Sequence, residues 1–96
     1  MGLSSTILNK QPDETRLLIM DYSGSMQKGE LITELVSSEA TPDGLTFDPA
    51  YTIDKQRMGV LVSGGSHGRS YKVRYIVGTD NNQILENEGE LEVEEL

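Results

Sequence analysis

Cysteine is absent from the 96 residues, so neither a disulfide nor a thiolate metal site is available, and the redox compartment is left open. Tryptophan is also absent and phenylalanine occurs once, so four tyrosines and the branched aliphatics must fill the interior. No apolar run approaches the ~18 residues of a membrane span, and the opening residues lack the charged and apolar regions of a secretion signal. The expectation is a soluble, unprocessed chain. Bases are few as well. Eight of them face sixteen acids, for a net charge of −8, which disfavours nucleic-acid binding because that affinity rests on cations neutralising phosphates. A chain of this length suits one domain burying somewhat over ~60% of its unfolded surface, enough for a thin core.

What is present is organised around the stretch from Met58 to Val93. Tyr71, Val73, Tyr75 and Val77 alternate with Lys72, Arg74, Ile76 and Gly78, the period of two expected of a strand with one covered face. The next segment repeats the pattern, with Glu86, Glu88, Glu90, Glu92 and Glu94 on one side and Leu85, Leu91 and Val93 on the other. Keeping polar with polar predicts a hairpin that pairs Ile76 with Glu86, Arg74 with Glu88 and Lys72 with Glu90. The same register sets Val77 against Leu85 and Tyr71 against Leu91. Thr79 to Gln83 would form the turn, since Asn and Asp tolerate positive φ. Five of the eight bases lie between residues 55 and 74 and six glutamates between 86 and 95, so the two strands carry complementary charge.

Residues 1–14 read as a flexible polar N-terminal arm and residues 15–96 as a single sandwich domain. Thr15–Tyr22 (TRLLIMDY) is a strand whose consecutive apolar residues suggest that both its faces are at least partly covered. Ser23–Gly29 is a loop, and Glu30–Ser38 a further strand. Pro42-Asp43-Gly44 is a turn signal, because proline presets φ and glycine accepts positive φ. Leu45-Thr46-Phe47 is predicted as a short strand that Asp48-Pro49 breaks, with Tyr51-Thr52-Ile53 as another. Short strands separated by turn residues point to an antiparallel sandwich.

No catalytic constellation emerges, and an enzyme is not expected. His67, the only histidine, lies among glycines and serines, and Ser63 and Ser66 beside it lack a third group to orient the imidazole. The glutamate row spreads at roughly 7 Å per pair of residues, too far apart to close a coordination shell. Gly64-Gly65-x-x-Gly68 precedes a β-alternating segment, not the helix a phosphate loop opens. No catalytic, cofactor-binding or metal residue is therefore assigned, and no cofactor is expected.

Leu17–Met26 (LLIMDYSGSM) resembles the metal-ion site of von Willebrand factor A domains, in which Asp21, Ser23 and Ser25 would ligate a divalent cation. Thr79-Asp80 echoes a later motif of that family. The resemblance implies a metal-dependent adhesion domain. Such domains need long helices on both faces of a parallel sheet, and no segment after residue 38 has a helical stripe, which favours a plain strand-to-turn exit. A carbohydrate-binding sandwich is the other alternative. It calls for an exposed aromatic platform, and with Tyr71 and Tyr75 pointing inward only Tyr22 and Tyr51 remain for it.

Gly68-Arg69-Ser70-Tyr71 resembles the corner of fibronectin type III and immunoglobulin-like sandwiches, where Gly-x-x-Tyr opens a long strand and the tyrosine hydroxyl bonds back to the backbone. The resemblance implies an all-β antiparallel immunoglobulin/fibronectin-III-like sandwich of about seven strands. From about residue 10 onward the layout is also similar to small phage and prophage structural proteins described as fibre-to-tail adaptors. The shared marks are Lys10-Gln11-Pro12-Asp13-Glu14, a strand ending Ile19-Met20-Asp21-Tyr22-Ser23, Gly44-Leu45-Thr46, Val60-x-Val62-Ser63-Gly64-Gly65, Gly68-x-x-Tyr71 and the final hairpin. That resemblance implies a virion component, assembled in the bacterial cytoplasm, that docks in several copies onto other tail structural proteins. It also implies a homo-oligomer within the assembly and neither nucleic-acid nor membrane partners. The polar arm and the Ser23–Gly29 loop are the segments with least core-forming character, and so the expected contacts.

Overall fold

A computed structural model describes residues 6–95. Seven strands run in chain order: β1 Thr6–Lys10, β2 Arg16–Asp21, β3 Ile32–Thr41, β4 Leu45–Asp54, β5 Arg57–Gly64, β6 Arg69–Thr79 and β7 Ile84–Val93. They form two sheets, one of four strands in the order β1-β7-β6-β3 and one of three in the order β2-β5-β4. The chain is an all-β sandwich. A single 3-10 turn, Ser23–Ser25, follows β2.

The period-two segments lie where the alternation puts them. β6 and β7 pair antiparallel with Ile76 opposite Glu86, Arg74 opposite Glu88, Lys72 opposite Glu90, Val77 opposite Leu85 and Tyr71 opposite Leu91. Their turn closes with the Asn82 N–H on the Thr79 carbonyl, and Asn82 takes φ 60. The inward residues Tyr71, Val73, Tyr75, Val77, Leu91 and Val93 meet Leu18, Met20, Met58, Val60 and Val62 of the other sheet, all essentially inaccessible. At ~25 cal/mol per Å² of buried apolar surface, this layer is the main favourable term for so small a chain.

Two tyrosines stitch the layers together. The Tyr75 hydroxyl, from the four-stranded sheet, donates to the Leu18 carbonyl at 3.0 Å, and the Tyr22 hydroxyl donates back to the Tyr75 carbonyl at 2.8 Å. Phe47 adds an edge-to-face contact on Tyr75, with centroids 6.4 Å apart. Burial pushes both phenols well above the usual tyrosine range. At the sandwich corner the Tyr71 hydroxyl accepts the Ser66 N–H at 3.0 Å, the return bond expected of a tyrosine that opens a strand after Gly68. Gly44 sits directly over that ring: a Cβ there would lie 3.1 Å from the Tyr71 hydroxyl, and its φ of 139 is one glycine accepts.

The structure departs from the sequence expectation at several places. Residues 6–10, within the stretch read as an arm, pair parallel with β7 as β1, while residues 1–5 lie outside the described residues. β4 is one strand, not two, because Asp48-Pro49-Ala50 forms an irregularity inside it. The Asp48 carboxylate accepts the Ala50 N–H at 2.8 Å, and proline is tolerated because β4 is a sheet edge. β3 runs two residues later than Glu30–Ser38 at its start and three later at its end. Glu30 is instead buried before the strand, accepting the Gln27 N–H at 2.9 Å and the Thr79 hydroxyl at 2.6 Å. Tyr22, assigned outward, is fully buried, because the Asp21 turn directs the chain across the end of the sandwich.

Candidate docking surface

The inward residues hold the sheets together, and the two outer faces and the ends are what the described residues expose. The outer face of the four-stranded sheet is charged. Glu86, Glu88 and Glu90 of β7 stand beside Lys72 and Arg74 of β6 and Glu39 of β3, all open to solvent or half so. Arg74 does not engage Glu88, the residue directly opposite. Its long side chain reaches diagonally, to Glu86 at 3.3 Å and to Glu39, and this double pairing raises its already high pKa. Glu88, Glu90 and Glu92 have no ion-pair partner among the described residues, so the face is net acidic.

The outer face of the three-stranded sheet is the opposite in character. Leu17, Ile19 and Leu61 point outward at 41%, 45% and 41% exposure. They are contiguous because Leu17 lies directly opposite Leu61 and Ile19 opposite Gly59. Gly59 contributes no side chain, so Leu17 and Ile19 lean over it. A Cβ at that position would meet Leu17 Cδ1 at 3.1 Å and Ile19 Cγ1 at 3.4 Å. The result is a shallow depression of about 90 Å³ that Thr52 and the Asp54–Arg57 ion pair border. The apolar run of β2 had suggested two covered faces. Only Leu18 and Met20 are covered, and the other side is bare. Single exposed apolar residues are ordinary on any surface; Leu17, Ile19 and Leu61 adjoin one another on one sheet face.

The end of the sandwich that carries Ser23–Gly29 is tied down. The Asp21 carboxylate accepts the Ser23 N–H at 2.8 Å, which holds its pKa below the usual range and makes Asp-x-Ser-Gly-Ser a turn. Gln56 donates to the Gln27 and Glu30 carbonyls at 3.0 and 2.8 Å. Leu31 and Asp80 exchange two bonds, N–H to carboxylate at 3.0 Å and N–H to carbonyl at 2.9 Å. Asn87, at an inward position of β7, donates to the Asp21 carbonyl at 3.0 Å and so joins the sheets at this end. Its role was not legible from sequence, where it merely interrupts an apolar row. Ser23, Gly24 and Ser25 themselves remain exposed.

The other candidates take local roles. His67 Nδ1 accepts the Glu95 N–H at 2.9 Å, which fastens the end of the chain to the β5–β6 loop. Ser63 lies in β5 opposite Thr46, and the Ser66 N–H is engaged with Tyr71. Gly64, Gly65 and Gly68 all take positive φ in that loop. Lys10 is buried, donating to the Gln11 and Pro12 carbonyls at 2.7 and 3.0 Å, and burial lowers its pKa. Of the tyrosines assigned outward, Tyr51 is exposed at 41%, alone on edge strand β4. No group of three or more His, Asp or Glu side chains gathers as metal ligands among the described residues, and no described helix is long and apolar enough to cross a membrane.

Comparison with known proteins gives one family. The model of the podophage GP4 fiber-tail adaptor protein gp77 family matches residues 10–92, the greater part of the chain and all of β2 to β6. No curated protein matches.

Proposed function

The chain belongs to the podophage GP4 fiber-tail adaptor family, a structural component of the phage tail, and we propose that it works by docking alone, joining two kinds of tail protein through chemically different outer faces. The observation that carries this reading is the contrast between the apolar Leu17–Ile19–Leu61 face and the acidic Glu86–Glu88–Glu90 face on opposite sides of one thin sandwich. An adaptor must touch two neighbours at once, and two faces of unlike character discriminate between them. The apolar face suits a partner surface with complementary aliphatic side chains, which supplies affinity through burial. The acidic face suits a basic one, which steers approach and rejects the wrong partner.

The two-sheet β-sandwich and the Tyr71 corner are compatible with this role, since they hold two outer faces at fixed positions on one small domain. The exposed Ser23-Gly24-Ser25 turn and the segment ahead of β1 are further contacts in this proposal, as is a homo-oligomeric arrangement in the assembled tail. With a net charge of −8, the chain has little with which to hold phosphates, so proteins and not nucleic acid are its partners.

The test is to mix the purified chain with the fibre and tail proteins of its own phage and follow co-elution. The expected result is binding to both. Leu17→Lys with Leu61→Lys should abolish one partner, and Glu88→Lys with Glu90→Lys the other. Binding to neither protein, or the loss of both partners through one face, would overturn the proposal.

A further inference from the structure

A cleft at one end of the sandwich carries two cations without partners. It has a volume of about 440 Å³ between the β4–β5 turn and the loop after β2, and Lys28, Leu31, Lys55 and Arg57 line it. Its acids are engaged within the chain. The Asp21 carboxylate accepts the Ser23 N–H at 2.8 Å, and Asp54 accepts from Arg57 at 2.7 Å. Buried Glu30 has one oxygen on the Gln27 N–H and the other on the Thr79 hydroxyl. The Lys28 and Lys55 side chains are exposed and make neither an ion pair nor a hydrogen bond among the described residues. Lys55 is also held where lysine is seldom found. Two described non-glycine residues take the left-handed conformation, Asn82 at φ 60 and Lys55 at φ 58. Asparagine enters that region readily, whereas lysine there costs backbone energy that asparagine or glycine would avoid. Such an outlier persists only when its surroundings enforce it. Here the Lys55 carbonyl accepts the Ile32 N–H at 2.9 Å, and the Gln56 carbonyl accepts the Tyr22 N–H at 2.8 Å. Turn and loop are thus fixed to each other, and Leu31 lies beside them 44% exposed.

We propose that this cleft receives a protruding acidic segment of a neighbouring tail protein, with its carboxylates on Lys28 and Lys55 and an aliphatic side chain against Leu31. Charge names the occupant. With Asp21, Glu30 and Asp54 already bonded, what the cleft offers a partner is cationic, and a segment bearing carboxylates completes it. The whole chain is acidic at −8, so its overall field does not draw an anion in. Recognition is therefore local, and at physiological ionic strength exposed charges more than ~8 Å away are largely screened. The rigid tie between turn and loop places both lysines before the partner arrives, which lowers the ordering cost of binding. The chain's own glutamate row does not suit the cleft. Glu88 and Glu90 stand on a sheet face, on a strand flanked by β1 and β6, and a concave end takes a segment that projects. This contact is separate from both outer faces and does not rest on the roles proposed for them.

The test is a nuclear magnetic resonance titration of the isotope-labelled full chain with a short synthetic peptide of alternating glutamate and leucine. A peptide of the same length with glutamine in place of glutamate is the control. Amide shifts are expected at residues 27–31 and 54–57 with the acidic peptide and not with the control. Lys28→Gln with Lys55→Gln should weaken binding at least roughly tenfold, while Arg69→Gln, an exposed cation on the β5–β6 side, should leave it unchanged. Lys55→Asn separates recognition from folding. It relaxes the left-handed backbone, so the chain should melt no lower than the unaltered one and yet bind the peptide several-fold more weakly. Absence of shifts at this end overturns the proposal, as do equal shifts from the glutamine peptide or an affinity that survives Lys28→Gln with Lys55→Gln. Sedimentation velocity covers the remaining occupant: self-association of the unaltered chain that this double substitution removes would make the partner a second copy and also overturn it. None of these results touches Leu17, Leu61, Glu88 or Glu90, so the adaptor reading is judged separately by its own co-elution.

Discussion

The two strands that flank the core, β2 on one side and β7 on the other, follow the same inward rule and opposite outward ones. Inward, β2 offers Leu18 and Met20, and β7 offers Leu91 and Val93, all buried. Outward, β7 carries a row of glutamates and β2 carries Leu17 and Ile19. The core dictates only half of each strand. The other half is free to vary, and glutamates keep one face wet while aliphatics leave the other unsatisfied by its own chain. The difference is what the proposed docking role rests on.

The largest way to break the comparison is to remove what holds the faces apart. Tyr75→Ala deletes a ring packed between the sheets and the bond to the Leu18 carbonyl. By analogy with other buried aromatic truncations it should cost ~3–5 kcal/mol in denaturant unfolding. Both faces should then lose their partners together. Tyr22→Phe is milder. It keeps the ring and strands the buried Tyr75 carbonyl, for an expected loss of ~1–3 kcal/mol with the fold retained.

Alkali probes the same stitch without mutation. Both phenols titrate higher folded than unfolded, so their contribution is complete below the ordinary tyrosine value of 10.0. Above it the unfolded chain loses phenolic protons first, and stability falls as pH rises. Lys10, shifted down by burial, has the opposite sign, but its gain is finished by its ordinary value of 10.5, beyond which the phenols act alone. Two large phenolic shifts against one lysine should leave a net loss. Melting temperature should decline above pH 10, less steeply in Tyr22→Phe; a flat profile would contradict the buried stitch.

The smallest effects are on the faces themselves. Glu88→Lys with Glu90→Lys should shift stability by less than ~1 kcal/mol, because exposed cross-strand charges contribute little. Leu17→Lys with Ile19→Lys should be similarly mild, since both side chains are already about half in water. A loss of several kcal/mol from either pair in chemical denaturation would mean that the face in question is structural.

The hairpin was legible residue by residue, because alternation leaves one register that keeps the glutamates on one face and Tyr71, Val73, Tyr75, Val77, Leu91 and Val93 on the other. Tyr71 was legible through the Gly68 that precedes it. The division of β4 was misread at Asp48-Pro49, since a proline that ends a central strand merely bulges an edge one, and edge position is a property of topology. Tyr22 was misplaced because its burial depends on the turn that Asp21 starts. Arg74 reached Glu86 and Glu39 instead of Glu88 because register fixes backbones and not the ends of long side chains. The instructive miss is β2. Consecutive apolar residues suggested that the chain covers both sides of the strand. A strand with one bare apolar side has the same composition, and only coordinates tell the two apart.

The measurement that bears most directly on a two-faced adaptor is native mass spectrometry of the chain mixed with its fibre and tail proteins together. The account predicts an assembly containing all three, from which Leu17→Lys with Leu61→Lys expels one neighbour and leaves the other attached. Fibre and tail proteins that displace one another, so that no species holds both, would contradict it.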